Sequence, residues 1–286
     1  MNHMRAASPP SERPGAPDST GSHAPSHPRS GAARPRYGAA TLYQADALHV
    51  LPQLVPGSID HVITDQPYSS GGLFAHARTQ RTTEKYVMKT SARRQVYPEF
   101  MGDNRDQRSY VAWFAVWAAL CFDLMRPGGF FVCFTDWRQL PATTDAVQAA
   151  GFIWRGVAVW DKTEAARPDK GMYRRQAEYV VWGSKGTPRV AADAECIPGV
   201  FRHIVLQKDK HHIAGKPSAL MADVLRIARP GETVLDPFMG SATTGTAALK
   251  RGCRFLGIER SPDIFPTAVA RIAAIAADLE AAAPHA

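Results

Sequence analysis

The chain has few cysteines and no long uncharged apolar segment. Its four cysteines form neither a CxxC pair nor a Cys/His set with metal-ligand spacing. We therefore predict free thiols in a reducing compartment, with no metal site and no disulfide framework. The longest uncharged apolar stretch, 110–122, is shorter than the roughly 20 residues that a membrane helix needs, and the N-terminus lacks the apolar core of a signal peptide. We expect a cytoplasmic protein without a membrane partner.

Acidic residues are outnumbered by basic ones. The chain has 26 Asp and Glu against 34 Lys and Arg, a net charge of +8. This excess favours a polyanionic partner such as nucleic acid, although it also suits a basic protein without one. The 286 residues, 45% of them hydrophobic and 21% charged, are sufficient for a complete globular core. Size and composition permit an enzyme and leave its substrate open.

The order of sequence patterns predicts one α/β domain. Residues 1–37 are crowded with Pro, Ser, Gly, Ala and Arg and lack apolar periodicity, so we predict a disordered tail before a domain at 38–286. From residue 41, short β-branched and aromatic runs alternate with helical patterns, which is typical of a parallel sheet covered by helices. The seven predicted strands are 41–45, 61–65, 130–135, 153–160, 179–184, 233–235 and 254–259, and the predicted helices are 108–124, 139–149, 218–228, 243–250 and 263–279.

Two long polar and basic stretches, 69–107 and 162–217, interrupt this alternation. Loops of such length in a compact domain are usually functional or disordered. The first mixes basic side chains with Tyr86, Tyr97 and Phe100, a combination suited to phosphates and unstacked bases. A solvated flexible loop is the alternative interpretation.

A Gly-containing turn follows the strand that ends at Asp236. The segment Pro237-Phe-Met-Gly240-Ser-Ala-Thr-Thr-Gly245 then leads into a helix. Backbone amides and a helix N-terminus converge at the carboxyl end of a parallel strand, where nucleotide-like ligands bind. Glu259 ends the next strand, 19 residues after Gly240. An acidic residue at this spacing is suited to accept hydrogen bonds from ribose hydroxyls. The spacing is not GxGxxG and no P-loop lysine is present, so alone the loop is equally consistent with close helix packing.

A second short motif, Asp65-Gln66-Pro67-Tyr68, follows the strand predicted at 61–65. A carboxylate, a turn-forming proline and an aromatic ring at such a strand end can hold a flat heterocycle that carries an amine. Taken alone, the tetrapeptide is more typical of a simple turn.

Together the two motifs resemble those of the amino-methyltransferases that modify adenine N6 or cytosine N4 in DNA. The first is similar to the family's catalytic Asp-Pro-Pro-Tyr motif. The segment 236–244 is similar to its S-adenosylmethionine loop, usually Asp-Pro-Phe-x-Gly-Ser-Gly-Thr-Thr. Tyr43-Gln-Ala-Asp46, Arg126-Pro-Gly-Gly129 and His212-Ile-Ala-Gly-Lys216-Pro217 are further family-like elements. The resemblance covers residues 41 to about 270.

Two positions depart from the family pattern. Gln66 replaces the first proline of the catalytic motif, which frees φ and adds an amide donor. Ala242 replaces a glycine of the cofactor loop, which we expect to be tolerated only without a positive φ. A DNA-binding protein that kept the fold and lost catalysis is therefore an alternative, as is methylation of RNA or protein.

The resemblance implies a seven-stranded, mostly parallel, Rossmann-like methyltransferase sheet with helices on both faces, acting on double-stranded DNA and often homodimeric. The catalytic motif precedes the cofactor motif, as in the beta class, which implies base reading by residues 162–205 between them. Arginines and lysines in both basic stretches would contact DNA at bases or only at phosphates. These candidate DNA-binding residues are Arg78, Arg81, Arg93, Arg94, Arg167, Lys170, Arg174 and Arg175.

The same resemblance implies residue roles. Asp65 and the carbonyl of Gln66 would accept the target amine's hydrogens, and Tyr68 would stack on the base. Asp in the first motif position goes mainly with adenine N6, so we predict adenine rather than cytosine N4. The S-adenosylmethionine residues would be Asp46 near the adenine, Glu259 at the ribose, Asp236, Lys216 and Pro217 near the methionine end, and Pro237, Phe238, Gly240, Ser241, Thr243 and Thr244 in the loop. Whether a restriction enzyme accompanies the protein stays open.

Overall fold

The fold is a single mixed β-sheet with helices on both faces. The computed structural model describes residues 36–69, 105–166, 168, 170–204 and 215–282. Predictions for the tail up to residue 35, and most of the loop predicted at 69–107, lie outside these residues. The strands are β1 Arg36–Tyr37, β2 Ala40–Gln44, β3 His61–Thr64, β4 Phe130–Thr135, β5 Ile153–Asp161, β6 Ala177–Ser184, β7 Val200–Arg202, β8 Thr233–Asp236 and β9 Arg254–Glu259.

The strand order β1-β2-β9-β8-β3-β4-β6-β5-β7 confirms the predicted α/β class. The five strands from β2 to β4 in this order are mutually parallel, whereas β6 runs antiparallel to β4 and β5. All seven predicted strands are present, but the predicted count of seven is wrong, because β1 and β7 extend the two edges. Strands of two or three residues are too short to show an alternating pattern. Because β1 pairs with β2, Arg36 and Tyr37 are also not part of a disordered tail.

Six α-helices cover the sheet in the described part of the chain, and short 3-10 turns at Leu51–Gln53 and Leu225–Ile227 follow two of them. Asp106 begins the helix Gln107–Leu124 by accepting a hydrogen bond from the Ser109 amide at 2.9 Å, a standard N-cap. The predicted helix at 218–228 is shorter than expected and closes with a 3-10 turn at Leu225–Ile227. The helices are α1 Ala47–Val50, α2 Gln107–Leu124, α3 Leu140–Ala149, α4 Ser218–Val224, α5 Thr243–Lys250 and α6 Phe265–Ala282.

The core has two layers, one on each face of the sheet. Strand residues alternate between them: Val62 faces the layer of α1, α2 and α3, whereas its neighbour Ile63 faces the layer of α4, α5 and α6. Because the central strands are covered on both faces, β4 is a run of six buried residues. No helix among the described residues is long and apolar enough to cross a membrane.

The sheet topology brings several chain segments to one edge. The parallel strands β2, β9, β8, β3 and β4 all end there, and the loops that follow them carry the sequence motifs. Thr135, the last residue of β4, pairs with Tyr179 near the start of the antiparallel β6. The beginning of β6 therefore lies at the same edge. We refer to it as the carboxyl edge of the sheet.

Candidate active site

The catalytic motif follows β3 at the carboxyl edge. Both carboxylate oxygens of Asp65 accept hydrogen bonds from Lys216 Nζ, at 2.7 and 2.8 Å. The Tyr68 hydroxyl lies 2.9 Å from Asp65 Oδ1 and also accepts from Lys216. Ser69, directly after the motif, has a φ of +58°, a left-handed conformation that non-glycine residues adopt at a cost of roughly 1–3 kcal/mol. The structure thus groups Asp65, Tyr68 and Lys216 and turns the chain sharply beside them.

Glu178, near the start of β6, completes this group, although the sequence analysis did not select it. Its Oε2 lies 3.1 Å from the Tyr68 hydroxyl and 3.5 Å from Lys216 Nζ, and its Oε1 is 2.6 Å from Lys162 Nζ. The available signal was a lone acid at the start of an otherwise apolar strand, Ala177–Ser184. Asp65, Tyr68, Glu178 and Lys216 are called the catalytic-edge cluster below.

Burial and charge act against each other in this cluster. Burial raises the pKa of Asp65 above its ordinary value, and attraction to Lys216 offsets the rise in part. For Glu178 burial also acts to raise the pKa, but Lys216 and Lys162 bring it below the ordinary range. Burial alone would lower the pKa of Lys216, yet the two carboxylates raise it. Each charge in the cluster therefore depends on its neighbours.

Gln66 occupies the position at which the chain departs from the family motif. Its side chain is buried, and Nε2 donates to the Phe134 carbonyl at 2.8 Å and to the Tyr110 hydroxyl at 3.4 Å. The amide added by the loss of proline thus joins the motif to β4 and α2 beneath it. The side chain is held inside the protein.

Asp236 and the loop after it lie next to the catalytic motif. Asp236 Oδ1 accepts from the Thr64 hydroxyl at 2.7 Å and from the Phe238 amide at 3.0 Å. Burial raises the pKa of this carboxyl to about 7, although its hydrogen bonds act in the opposite direction. Ala242, the N-cap of α5, has a φ of +61°. We expected this alanine to be tolerated only without a positive φ, and that condition is not met. The loop holds it in a left-handed conformation, at a cost of roughly 1–2 kcal/mol.

Glu259 and Asp46 lie at the ends of β9 and β2. Glu259 accepts from the Gly240 amide at 3.1 Å and from the Ser261 amide at 2.6 Å, so the acid at the end of β9 is in contact with the glycine of the loop after β8. Asp46 caps α1 through the Leu48 amide and pairs with Arg260 at 3.1 Å. A Cβ atom added to Gly240 would meet no heavy atom within 4 Å. Carboxylates beside an open glycine turn suit a ligand with ribose hydroxyls and an amine.

The structure separates the remaining predicted cofactor residues into different environments. Lys216, predicted to lie near the methionine end of the cofactor, pairs with Asp65 in the catalytic-edge cluster. Pro217 is buried at the N-cap of α4, and Pro237 is also buried. The remaining loop side chains contact the protein interior: Ser241 and Thr243 bond Arg271 of α6, Thr244 bonds Asp236, and Phe238 packs on Trp113 and Trp117.

The hairpin loop between β5 and β6 carries the described members of the predicted DNA-binding set. Lys170, Arg174 and Arg175 are exposed, and Tyr173 between them is 99% exposed. Arg174 also donates to the carbonyls of Glu164 and Ala166, so it shapes the loop. The range predicted for base reading contains β6, which lies between β4 and β5, so its described residues outside that strand are 162–166, 168, 170–176 and 185–204. Arg78, Arg81, Arg93, Arg94 and Arg167 lie outside the described residues.

The fold and the carboxyl edge define a class, the α/β methyltransferases. Two solved structures share this fold. An M1.HpyAVI complex with S-adenosylmethionine has a TM-score of 0.58 and 22% identity, with 82% of this chain and 98% of that one covered. The cytosine-N4-specific PvuII DNA methyltransferase has a TM-score of 0.59 and 19% identity, with 84% and 92% covered.

Sequence comparison identifies the family within this class. A family model described as DNA methylase matches residues 59–270, so the chain belongs to the S-adenosylmethionine-dependent N6/N4 DNA methyltransferases. YubD of Escherichia coli strain K12 is 26% identical, with 81% of this chain and 89% of YubD covered. The type II methyltransferase M2.DpnII of Streptococcus pneumoniae is 23% identical, with 82% and 89% covered. The resemblance stated from the motifs is confirmed.

Proposed function

We propose that this protein transfers a methyl group from S-adenosylmethionine to the exocyclic N6 amine of adenine in DNA. The observation that carries the proposal is the position of Asp65. This carboxylate follows β3 at the carboxyl edge, and Thr64 just before it bonds Asp236 of the cofactor loop. An amine acceptor and a cofactor loop on adjacent parallel strands suit transfer between two bound molecules.

Asp65 and Gln66 would prepare the target amine. The lone pair of an exocyclic amine is delocalised into the ring, so the amine is a poor nucleophile. By accepting both hydrogens, the Asp65 carboxylate and the Gln66 carbonyl would orient the nitrogen and stabilise the positive charge that develops on it. Asp65 would then take a proton from the methylated nitrogen, which removes the positive charge from the product. The Tyr68 ring would stack on the base, at a worth of roughly 1–3 kcal/mol.

Glu259, Asp236 and Asp46 would hold the cofactor, whose sulfonium methyl is the group transferred. Glu259 would accept from the ribose hydroxyls, Asp46 would lie near the adenine, and the buried Asp236 would lie near the methionine end. The backbone amides of the loop after Gly240 would line the cofactor site, as expected at a helix N-terminus. The contact of Glu259 with Gly240 supports this arrangement.

The target base would have to flip out of the DNA stack, because a base inside a duplex cannot reach the Asp65 carboxylate at the carboxyl edge of the sheet. The loop 162–176 supports this reading. Lys162 at its base pairs with Glu178 of the catalytic-edge cluster, and its tip exposes Tyr173 between basic residues. A basic and aromatic tip beside the site suits phosphates and unstacked bases.

We also propose that the protein is a homodimer, which sedimentation equilibrium would test.

The choice of adenine rests on Asp at the first motif position. Incubation of the protein with S-adenosylmethionine and unmethylated DNA, followed by digestion and mass spectrometry of nucleosides, tests it. We expect N6-methyladenine. Detection of N4-methylcytosine would show that cytosine is the target base and would leave the mechanism unchanged. Absence of any methylated base, together with measurable cofactor binding, would contradict the proposed activity.

A further inference from the structure

We propose that Glu178 is a positioning residue of the methyl-transfer site, which receives the Lys216 ammonium when the target amine reaches Asp65. The inference rests on the proposed function and deepens it. It assigns a role to a carboxylate that the catalytic motif does not contain. Its basis is the geometry of the catalytic-edge cluster.

Lys216 occupies the position that a target amine requires. Its ammonium donates to both oxygens of Asp65, at 2.7 and 2.8 Å, and to the Tyr68 hydroxyl. An amine that is to be oriented by Asp65 needs one of these oxygens as its acceptor. Each carboxylate oxygen can accept a second hydrogen bond, but an amine bound there would lie beside the ammonium, so the lysine competes with the target amine for Asp65.

The charge of Lys216 opposes the reaction as well. Methyl transfer places a positive charge on the target nitrogen, which Asp65 has to stabilise. An ammonium bonded to the same carboxylate neutralises it and repels the new charge, and this repulsion is strong in a site that excludes water. Displacement of Lys216 from Asp65 leaves the negative charge of the carboxylate available to the target amine.

Glu178 is the group that can accept the displaced ammonium. The Lys216 side chain is 5% exposed, so it does not reach solvent without a large rearrangement. Its ammonium lies 5.0, 5.1 and 5.9 Å from the ring centres of Tyr68, Phe134 and Trp160, which favours a cation that stays between them. Glu178 Oε2, at 3.5 Å, is the second carboxylate within ion-pair distance of Lys216 in the described part of the chain.

The position of Glu178 is fixed by other contacts. Trp160 pairs with Glu178 across β5 and β6, and Lys162 holds its other carboxylate oxygen at 2.6 Å. The same Oε2 lies 3.1 Å from the Tyr68 hydroxyl. A carboxylate held in this way can take over Lys216 after a small movement of the lysine alone, and Asp65 stays in place.

The test compares Glu178→Gln with Glu232→Gln. Glu232 is a matched control, because its side chain is 16% exposed against 17% for Glu178, and it pairs with His61 at the opposite edge of the sheet. We expect Glu178→Gln to slow single-turnover methyl transfer roughly 10- to 100-fold, as for other losses of charge stabilisation. Cofactor affinity, measured by calorimetry, should stay within about 2-fold in both variants, and the control should keep its rate.

A double variant distinguishes this role from a structural one. Adding Lys216→Met to Glu178→Gln removes the ammonium that needs a second partner. Because burial raises the pKa of Asp65 and the lysine no longer offsets it, rates are compared over a pH series. At the alkaline end of the series the double variant should be faster than Glu178→Gln alone. A loss that grows instead, or a Glu178→Gln variant as active as the control, would overturn the inference.

If Glu178→Gln does not fold, Lys216→Met carries the test at the same alkaline pH, where it should keep at least about a tenth of the wild-type rate. A larger loss in Lys216→Met would overturn the inference, because the lysine would then be required at Asp65. A wild-type protein that binds cofactor and methylates no DNA would instead contradict the proposed function, and this inference with it.

Discussion

The Thr64 hydroxyl donates a hydrogen bond of 2.7 Å to the buried carboxylate of Asp236. This bond joins β3, which leads to the catalytic motif, to β8, which leads to the cofactor loop. The two strands are parallel neighbours, so their following loops open at the same edge. Two motifs about 170 residues apart along the chain thereby form one site, in the manner of other α/β sheets.

Asp236 should make the stability of the ligand-free protein depend on pH. Its pKa is raised by burial to about 7 from an ordinary value of 3.8. A raised carboxyl pKa favours folding while the group is protonated, so this contribution is complete below about pH 4 and is lost as the pH rises through 7. Each unit of difference corresponds to about 1.4 kcal/mol. Urea unfolding across this range should show the free energy of unfolding falling more in the wild type than in Asp236→Asn. Equal slopes would contradict the burial argument.

Gln66 should contribute to stability through its buried amide. Gln66→Leu leaves the Phe134 carbonyl without this donor, and such losses cost roughly 1–3 kcal/mol. Denaturant unfolding measures the change. Gln53→Leu is the control, because Gln53 is exposed and donates only to the His49 carbonyl of the preceding helix, so its effect should stay within about 0.5 kcal/mol. Equal effects of the two substitutions would show that the amide of Gln66 is not structural.

Tyr173 should act on DNA and not on the fold. At 99% exposure its ring has almost no contact with the protein, so Tyr173→Ala should leave the melting temperature and cofactor affinity unchanged. Loss of a stacking partner should weaken DNA binding by roughly 1–3 kcal/mol, measured by fluorescence anisotropy at fixed salt. Leu279→Ala, at a half-exposed position on α6, is the control. Unchanged DNA affinity in Tyr173→Ala would remove the loop tip from the interface.

Most strands and the long helices could be predicted because their apolar side chains form continuous runs or regular repeats. The central β4 is a case in point, since its bounds at 130–135 match the prediction. The two edge strands could not be predicted, because β1 and β7 have too few residues to carry a period. They form by pairing with longer neighbours.

The candidate site was predictable where local sequence sets local geometry. The two motifs lie at the expected strand ends, and Glu259 ends its strand beside the loop of Gly240. The ion pair of Lys216 with Asp65 was not predictable, since it depends on how α4 approaches the sheet. Glu178 was missed because its role comes from the antiparallel register of β6 with β4, which no local pattern encodes.

Separation of the two halves of the site is the central claim, and Asp65→Ala tests it most directly. Asp65 would act on the target amine, whereas the cofactor would be held by Asp236, Glu259 and the loop after β8. Transfer of labelled methyl groups to DNA should fall by roughly 100-fold or more, as expected when a stabilising group is removed. Calorimetry should find S-adenosylmethionine affinity nearly unchanged in the same preparation. A mutant that loses cofactor affinity together with transfer, or one that still methylates DNA at the wild-type rate, would contradict the account.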